Sequence, residues 1–268
     1  MLGSDLAPCL EKAGYQARAL DLPEFDLTNP AHIEANLAGA NTIINCAAFT
    51  NVDKAEEVPE LAMKVNAGAV GLLGAWAKKH DAYVIQISTD FVFDGCSDRP
   101  YLETDRPNPV SIYGSSKLNG EDAIRASGCL HSIMRVQWSY GQHGTNFIAK
   151  LLERAGGGGE LKVVNDQVGA PTWTVDMARA ICLLLGVRAE GVFHFANAGY
   201  ATRYEVASFA ARKLGLPNRI IPCLSSDFPV RAMRPKNSRF CTDKIQEILG
   251  YKIRSWEAAL DAFLEQTR

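Results

Sequence analysis

Short apolar runs alternate with longer stretches in which apolar residues recur every three or four positions, and the alternation continues along most of the chain. An apolar run of four to eight residues between turn formers reads as a buried strand, and the 3.6-residue period reads as an amphipathic helix. Strands are expected at Gln16–Leu20, Thr42–Ala48, Tyr83–Ser88 and His131–Val136. Helices are expected over Asp5–Ala13, ended by Gly14, and over Ala31–Leu37, opened by Thr28-Asn29-Pro30 with its proline near the first turn. One long helix is expected over Pro59–Lys79, another over Ile112–Ala126, and a third over Asn146–Ala155 closed by Gly156–Gly159. Strands at Leu161–Val164, Gly191–Ala196 and Arg219–Pro222 and helices at Val175–Leu185, Tyr204–Leu214, Thr242–Leu249 and Trp256–Gln266 continue the series. Such alternation specifies the α/β class, a parallel sheet covered by helices. Beyond about residue 137 the regularity fades and Pro-bearing loops appear at Asn165–Thr172 and Arg231–Ser238. Residues 1–137 are therefore expected as the main domain, and 138–268 mainly as a small substrate lobe that interleaves with the main sheet.

Composition narrows the function classes. A net charge of −2 gives no general pull toward nucleic acid or acidic membranes. No apolar run reaches the length of a membrane span; the longest, near Ile181–Val187, reads as buried helix. The first twenty residues carry Asp5, Glu11, Lys12 and Arg18 and lack the apolar core of a secretory signal. Seven cysteines are scattered without a CxxC pair or a His at ligand spacing, and Cys46 and Cys182 sit in apolar segments as expected buried thiols. A cytoplasmic, reduced protein without a structural metal is expected.

The candidate chemistry centres on Tyr113-Gly-Ser-Ser-Lys117. Residues four apart on a helix stack one turn above the other, so an ammonium is expected beside a phenol. A nearby positive charge favours the phenolate and would lower the Tyr113 pKa from about 10 toward neutrality. A phenol so tuned exchanges a proton with a carbonyl or hydroxyl oxygen.

Other patterns fall into order around this pair. Asn45-Cys-Ala-Ala-Phe-Thr-Asn-Val-Asp-Lys-Ala-Glu56 follows one strand, and Ser88-Thr-Asp-Phe-Val-Phe-Asp-Gly95 ends the next. Arg135-Val-Gln-Trp-Ser-Tyr140, Asn165-Asp-Gln-Val-Gly-Ala-Pro-Thr172 and Arg231-Ala-Met-Arg-Pro-Lys-Asn-Ser238 come later. In this order the segments resemble the extended short-chain dehydrogenase/reductase superfamily and, within it, the dTDP-4-dehydrorhamnose reductases, over nearly the whole chain. The resemblance implies a Rossmann-type doubly wound parallel sheet and reduction of a dTDP-linked 4-keto sugar by NADPH (or NADH). It implies Tyr113 as proton donor, Lys117 as the group that tunes Tyr113 and binds the nicotinamide ribose, and Thr89 as the holder of the substrate oxygen. Asn66 would orient Lys117 through a water or backbone contact. Gly3, Asp26, Leu27, Ala48, Phe49, Thr50 and Ile87 would line the cofactor, and Asp90, Trp138, Arg231 and Arg234 the sugar nucleotide. Relatives of this kind are often dimers, some with Mg²⁺ at the interface, so a homodimer is an open expectation and Mg²⁺ has no assigned ligands.

Enzymes of this kind open with an apolar strand and a GxxGxxG turn, whereas this sequence reads Met1-Leu-Gly3-Ser-Asp5. Gly3 matches the last of those glycines; the first strand and the two earlier glycines are expected to be missing, which puts cofactor binding in question. Phe49 and Gln137 are smaller departures. Two other classes share the resemblance. A sugar-nucleotide epimerase or dehydratase uses the same Tyr/Lys core, although Thr89 is followed by Asp90-Phe91 instead of an acidic pair. A regulatory subunit of the methionine adenosyltransferase type uses the fold for binding alone.

Overall fold

The computed structural model describes residues 1–228 and 230–266. Helix α1 (Leu2–Lys12) opens the chain and Gly14, at φ +85°, turns it away. Helix α2 (Pro30–Leu37) begins on Asn29, whose side chain accepts from Ala31 N, with Pro30 at the position where a missing N–H costs nothing. Strand β1 (Thr42–Asn45) leads to α3 (Val52–Glu57), α4 (Pro59–Met63) and α5 (Ala69–Lys79). Then come β2 (Tyr83–Thr89), α6 (Ile112–Ser127), β3 (His131–Val136), β4 (Ser139–Tyr140) and α7 (Phe147–Arg154). The rest comprises β5 (Glu160–Val164), β6 (Val168–Gly169), β7 (Thr172–Trp173), α8 (Thr174–Val187), β8 (Gly191–Phe195), β9 (Ala201–Thr202), α9 (Arg203–Leu214), β10 (Arg219–Cys223), α10 (Asp243–Leu249) and α11 (Trp256–Gln266).

The main sheet runs β1-β2-β3-β8 with every pair parallel. Side chains alternate across it, as a pleated strand requires. Tyr83 and Ile85 join Leu6, Leu10, Met177, Ile181 and Ile245 on the face covered by α1, α8 and α10. Val84 and Ile133 join Ile33, Leu37, Leu73 and Ile124 on the face covered by α2, α5 and α6. This is the helix-covered parallel sheet of a Rossmann-type α/β protein. A separate apolar cluster, with Tyr140, Leu151, Trp173, Val206 and Phe263, ties α7, α9 and α11 to the parallel pair β5–β10. No helix among the described residues is long and apolar enough to cross a membrane.

Three elements differ from expectation. Gln16–Leu20 is no strand, and among the described residues it makes no backbone–backbone hydrogen bond. It and β1 line one cavity rather than pairing across it. The strand expected over Thr42–Ala48 stops at Asn45, where the Asn45 side chain accepts from Ala47 N and turns the chain. The long helix expected over Pro59–Lys79 is interrupted by a π-helical turn, Lys64–Gly68, and π turns recur at functional sites.

Candidate active site

Parallel strands bring their C-terminal ends to one edge, and ligands of open α/β sheets bind there. At this edge a cavity of about 2100 Å³ opens. That is roughly twice the upper range for small-molecule sites, room for two large ligands. Gly3, Asp26, Leu27, Ala48, Thr50 and Ile87 line one part of it. Thr89, Asp90, Tyr113, Lys117, Trp138 and Arg234 line the same cavity. Twelve of the residues singled out in the sequence therefore share one cavity.

Tyr113 and Lys117 are placed by the start of α6. Ser111 caps that helix by accepting from Gly114 N at 3.1 Å. Gly114 lets the first turn sit against β2's end, since a Cβ there would fall 2.2 Å from the Phe91 carbonyl oxygen. The Lys117 ammonium donates to the Ile87 carbonyl at 2.7 Å, and burial draws its pKa down to about 8 against the opposing pull of Glu121. Burial pushes the Tyr113 phenol up to about 12, against the neighbouring Thr89 hydroxyl and assisted by the Asp90 charge. The expected lowering of Tyr113 by Lys117 is thus absent from this structure. The ammonium is committed to a backbone carbonyl, and desolvation of the phenol dominates.

Thr89 ends β2 and donates to Asp90 Oδ1 at 3.0 Å. Asp90 Oδ2 accepts from Ser238 Oγ at 2.5 Å, and burial raises its carboxyl above the usual range. Behind these groups, Ser88 donates to Glu121 at 2.6 Å, and Arg135 grips the same carboxylate through two bonds of 2.8 and 2.7 Å. A buried ion cluster thereby fixes α6 against β2 and β3.

Asn66, inside the π turn, is buried behind the cavity wall. Its side chain accepts from Phe49 N at 2.8 Å and donates to Phe49 O at 3.0 Å and Ser116 Oγ at 2.9 Å. No direct Asn66–Lys117 bond is present among the described residues. Asn66 instead clamps the loop after β1 to α6 between Tyr113 and Lys117. Phe49 contributes its backbone to this clamp and is not part of the cavity lining.

Arg231 lies exposed outside the cavity wall, in an ion pair with Glu57. Arg234 reaches the cavity but is bonded to Asp53 at 2.6 Å. Arg203, which the sequence reading did not single out, lies in the same lining with its guanidinium 3.8 Å above the Trp138 ring. A signal for it existed. Thr202 and Glu205 form a capping box that places Arg203 at the first helical position of α9, where the helix dipole disfavours a cation.

Among the described residues no group of three or more His, Cys, Asp or Glu side chains is placed to hold a metal ion. A dinucleotide is a better fit. The first-turn amides of α1 have no side-chain cap, and the space where a Cβ of Gly3 would sit is open. Such a helix start suits a phosphate.

Comparison with known proteins agrees with this geometry. The RmlD substrate binding domain family matches residues 1–268. The dTDP-4-dehydrorhamnose reductase of Mycolicibacterium smegmatis is 37% identical over 97% of this chain and 81% of its own length. A dTDP-4-keto-6-deoxy-D-glucose reductase of Streptomyces niveus is 36% identical over 97% of this chain and 92% of its own. Among solved structures, the Bacillus anthracis dTDP-4-dehydrorhamnose reductase in complex with NADP has a TM-score of 0.95 at 30% identity, covering 99% of this chain and 95% of that one. This chain belongs to the dTDP-4-dehydrorhamnose reductase family.

Proposed function

We propose that the protein reduces the 4-keto group of dTDP-4-dehydro-L-rhamnose to give dTDP-L-rhamnose, with Tyr113 as proton donor. The observation that carries the reading is that Thr89, Tyr113 and Lys117 line the same cavity as the start of α1. Gly3 with the first turn of α1, Asp26, Leu27, Ala48, Thr50 and Ile87 would hold NADPH, which supplies hydride to the carbonyl carbon when bound. The carbonyl oxygen gains negative charge as that carbon is reduced, and it needs one proton. A phenol held up to about 12 keeps its proton at neutral pH, the state required of a donor. Thr89 holds the same oxygen and orients it toward the phenol. Lys117 spends one of its three N–H groups on Ile87. The other two, with its positive charge, stabilise the phenolate that is left until solvent returns the proton.

The test is loss of NADPH absorbance in the presence of the dTDP-linked 4-keto-6-deoxy sugar. Tyr113→Phe should lower kcat by about 100-fold or more, the usual worth of a positioned proton donor, and leave dTDP affinity unchanged. Turnover by Tyr113→Phe at the native rate would sink the assignment. The similarity to the Streptomyces niveus protein favours one second reading, a related 4-keto sugar as substrate, and the configuration of the product by NMR separates the two.

A further inference from the structure

The two arginines nearest in sequence to a recognisable motif, Arg231 and Arg234, are already paired with Glu57 and Asp53. Arg203 is different. Its guanidinium lies 3.8 Å from the Trp138 ring centre and 5.0 Å from that of Phe147. Among the described residues it has no hydrogen-bond partner, although a guanidinium carries five N–H donors. Burial makes the charge costly enough to draw its pKa down to about 10. The carboxylate that opposes this is Asp90, whose oxygens are already engaged by Thr89 and Ser238. The position at the start of α9 adds an unfavourable dipole. A cation placed at such cost, close over an indole ring, carries its N–H donors as a planar fork, the shape that receives phosphate through two parallel bonds.

We propose that Arg203, held on Trp138, is the anion anchor of the sugar-nucleotide site and receives the diphosphate of a nucleoside-diphosphate sugar. The proposal rests on the reductase reading and adds its specificity element. Affinity comes from the diphosphate, so the free sugar or the bare nucleoside binds poorly. The cofactor carries phosphates too, but Gly3 and the α1 amides provide for those, while Arg203 stands with Trp138 and Asp90 beside Thr89.

The experiment uses the full chain and three probes, dTDP, thymidine and NADPH, each titrated by Trp fluorescence or calorimetry. Arg203→Gln should weaken dTDP binding by about 10- to 100-fold, the loss expected for charge-assisted hydrogen bonds. Thymidine and NADPH affinities should stay within about twofold, and the KM for the sugar nucleotide should rise far more than kcat falls. Arg203→Lys, which keeps the charge and loses the fork, should fall between the two. It also serves alone if the Gln variant does not fold, because a dTDP-to-thymidine affinity ratio equal to wild type would then overturn the proposal. Equal weakening of dTDP and thymidine would also overturn it, as would weakening of NADPH alone. Unchanged dTDP binding in Arg203→Gln sinks the anchor and leaves the reductase reading standing. Arg203-dependent dTDP binding without any NADPH oxidation sinks the reductase reading and leaves the anchor.

Discussion

Tyr113 and Lys117 occupy successive turns of one helix, yet burial drives their pKa values apart, the phenol up to about 12 and the ammonium down to about 8. The consequence is a rate that depends on pH through the lysine. Lys117 is charged below about 8 and loses its proton above it, while Tyr113 keeps its own throughout that range. In the direction of reduction, kcat/KM should therefore be level through neutrality and fall as pH rises through about 8. Lys117→Arg, whose guanidinium does not titrate there, should remove the falling limb even if its rate is lower. A wild-type profile level to about pH 10 would exclude Lys117 as the controlling group. That the pair shares one helix face was legible from spacing, and its electrostatics were not. Spacing says that two side chains share a helix face. It says nothing of the Ile87 carbonyl that captures the ammonium, nor of the burial that overrides its charge.

The π turn at Lys64–Gly68 and helix α6 meet so closely that their separation is set by one hydrogen atom. At Gly120 a Cβ would stand 2.1 Å from the Asn66 carbonyl oxygen, and a backbone oxygen in a packed helix cannot swing aside. Gly120→Ala should destabilise the fold by about 1–3 kcal/mol through overpacking, less about 1 kcal/mol gained in helix propensity. Because Asn66 clamps Phe49 and Ser116, the same variant should weaken NADPH binding. Gly71 is the control. Its Cβ would make an ordinary 3.7 Å contact with Ala123, so Gly71→Ala should be neutral or stabilising by urea denaturation. Equal effects at the two positions would refute the close-approach argument. Apolar periodicity located this helix but could not locate its π turn, since one extra residue in a turn barely alters the pattern over Pro59–Lys79. Gln16–Leu20 illustrates the converse. Its strand-like composition was readable, but pairing is decided by neighbours, and among the described residues β1 pairs only with β2.

Across the molecule, segments far apart in sequence converge on the end of β8, and His194 is where they meet. Its ring stacks on Phe240 at 4.1 Å and meets Phe93 edge-on at 5.7 Å. Its Nδ1 donates to the Tyr101 carbonyl at 3.1 Å, which leaves Nε2 to accept from Arg135 at 3.4 Å. That arrangement requires a neutral imidazole. Burial and the Arg135 charge hold its pKa down to about 3, outweighing Asp105, while Lys244 acts in the same direction as Arg135. The unfolded chain gains a proton at this residue near pH 6.5 and the folded chain does not. Stability is thus fully present above about 6.5 and is lost as pH falls toward 3, by about 2 kcal/mol at pH 5. Asp90 acts in the opposite sense, because its raised folded pKa binds protons preferentially in the native state. A comparison of wild type with His194→Gln cancels that contribution, since both chains carry Asp90. Urea unfolding at pH 7 and pH 5 should show the wild type losing about 2 kcal/mol more than the variant between the two conditions. The Gln variant should start from lower stability at pH 7, having lost the ring packing against Phe240 and Phe93. Equal losses in the two chains would mean that the histidine takes up its proton without unfolding, and that the aromatic junction opens locally to admit it.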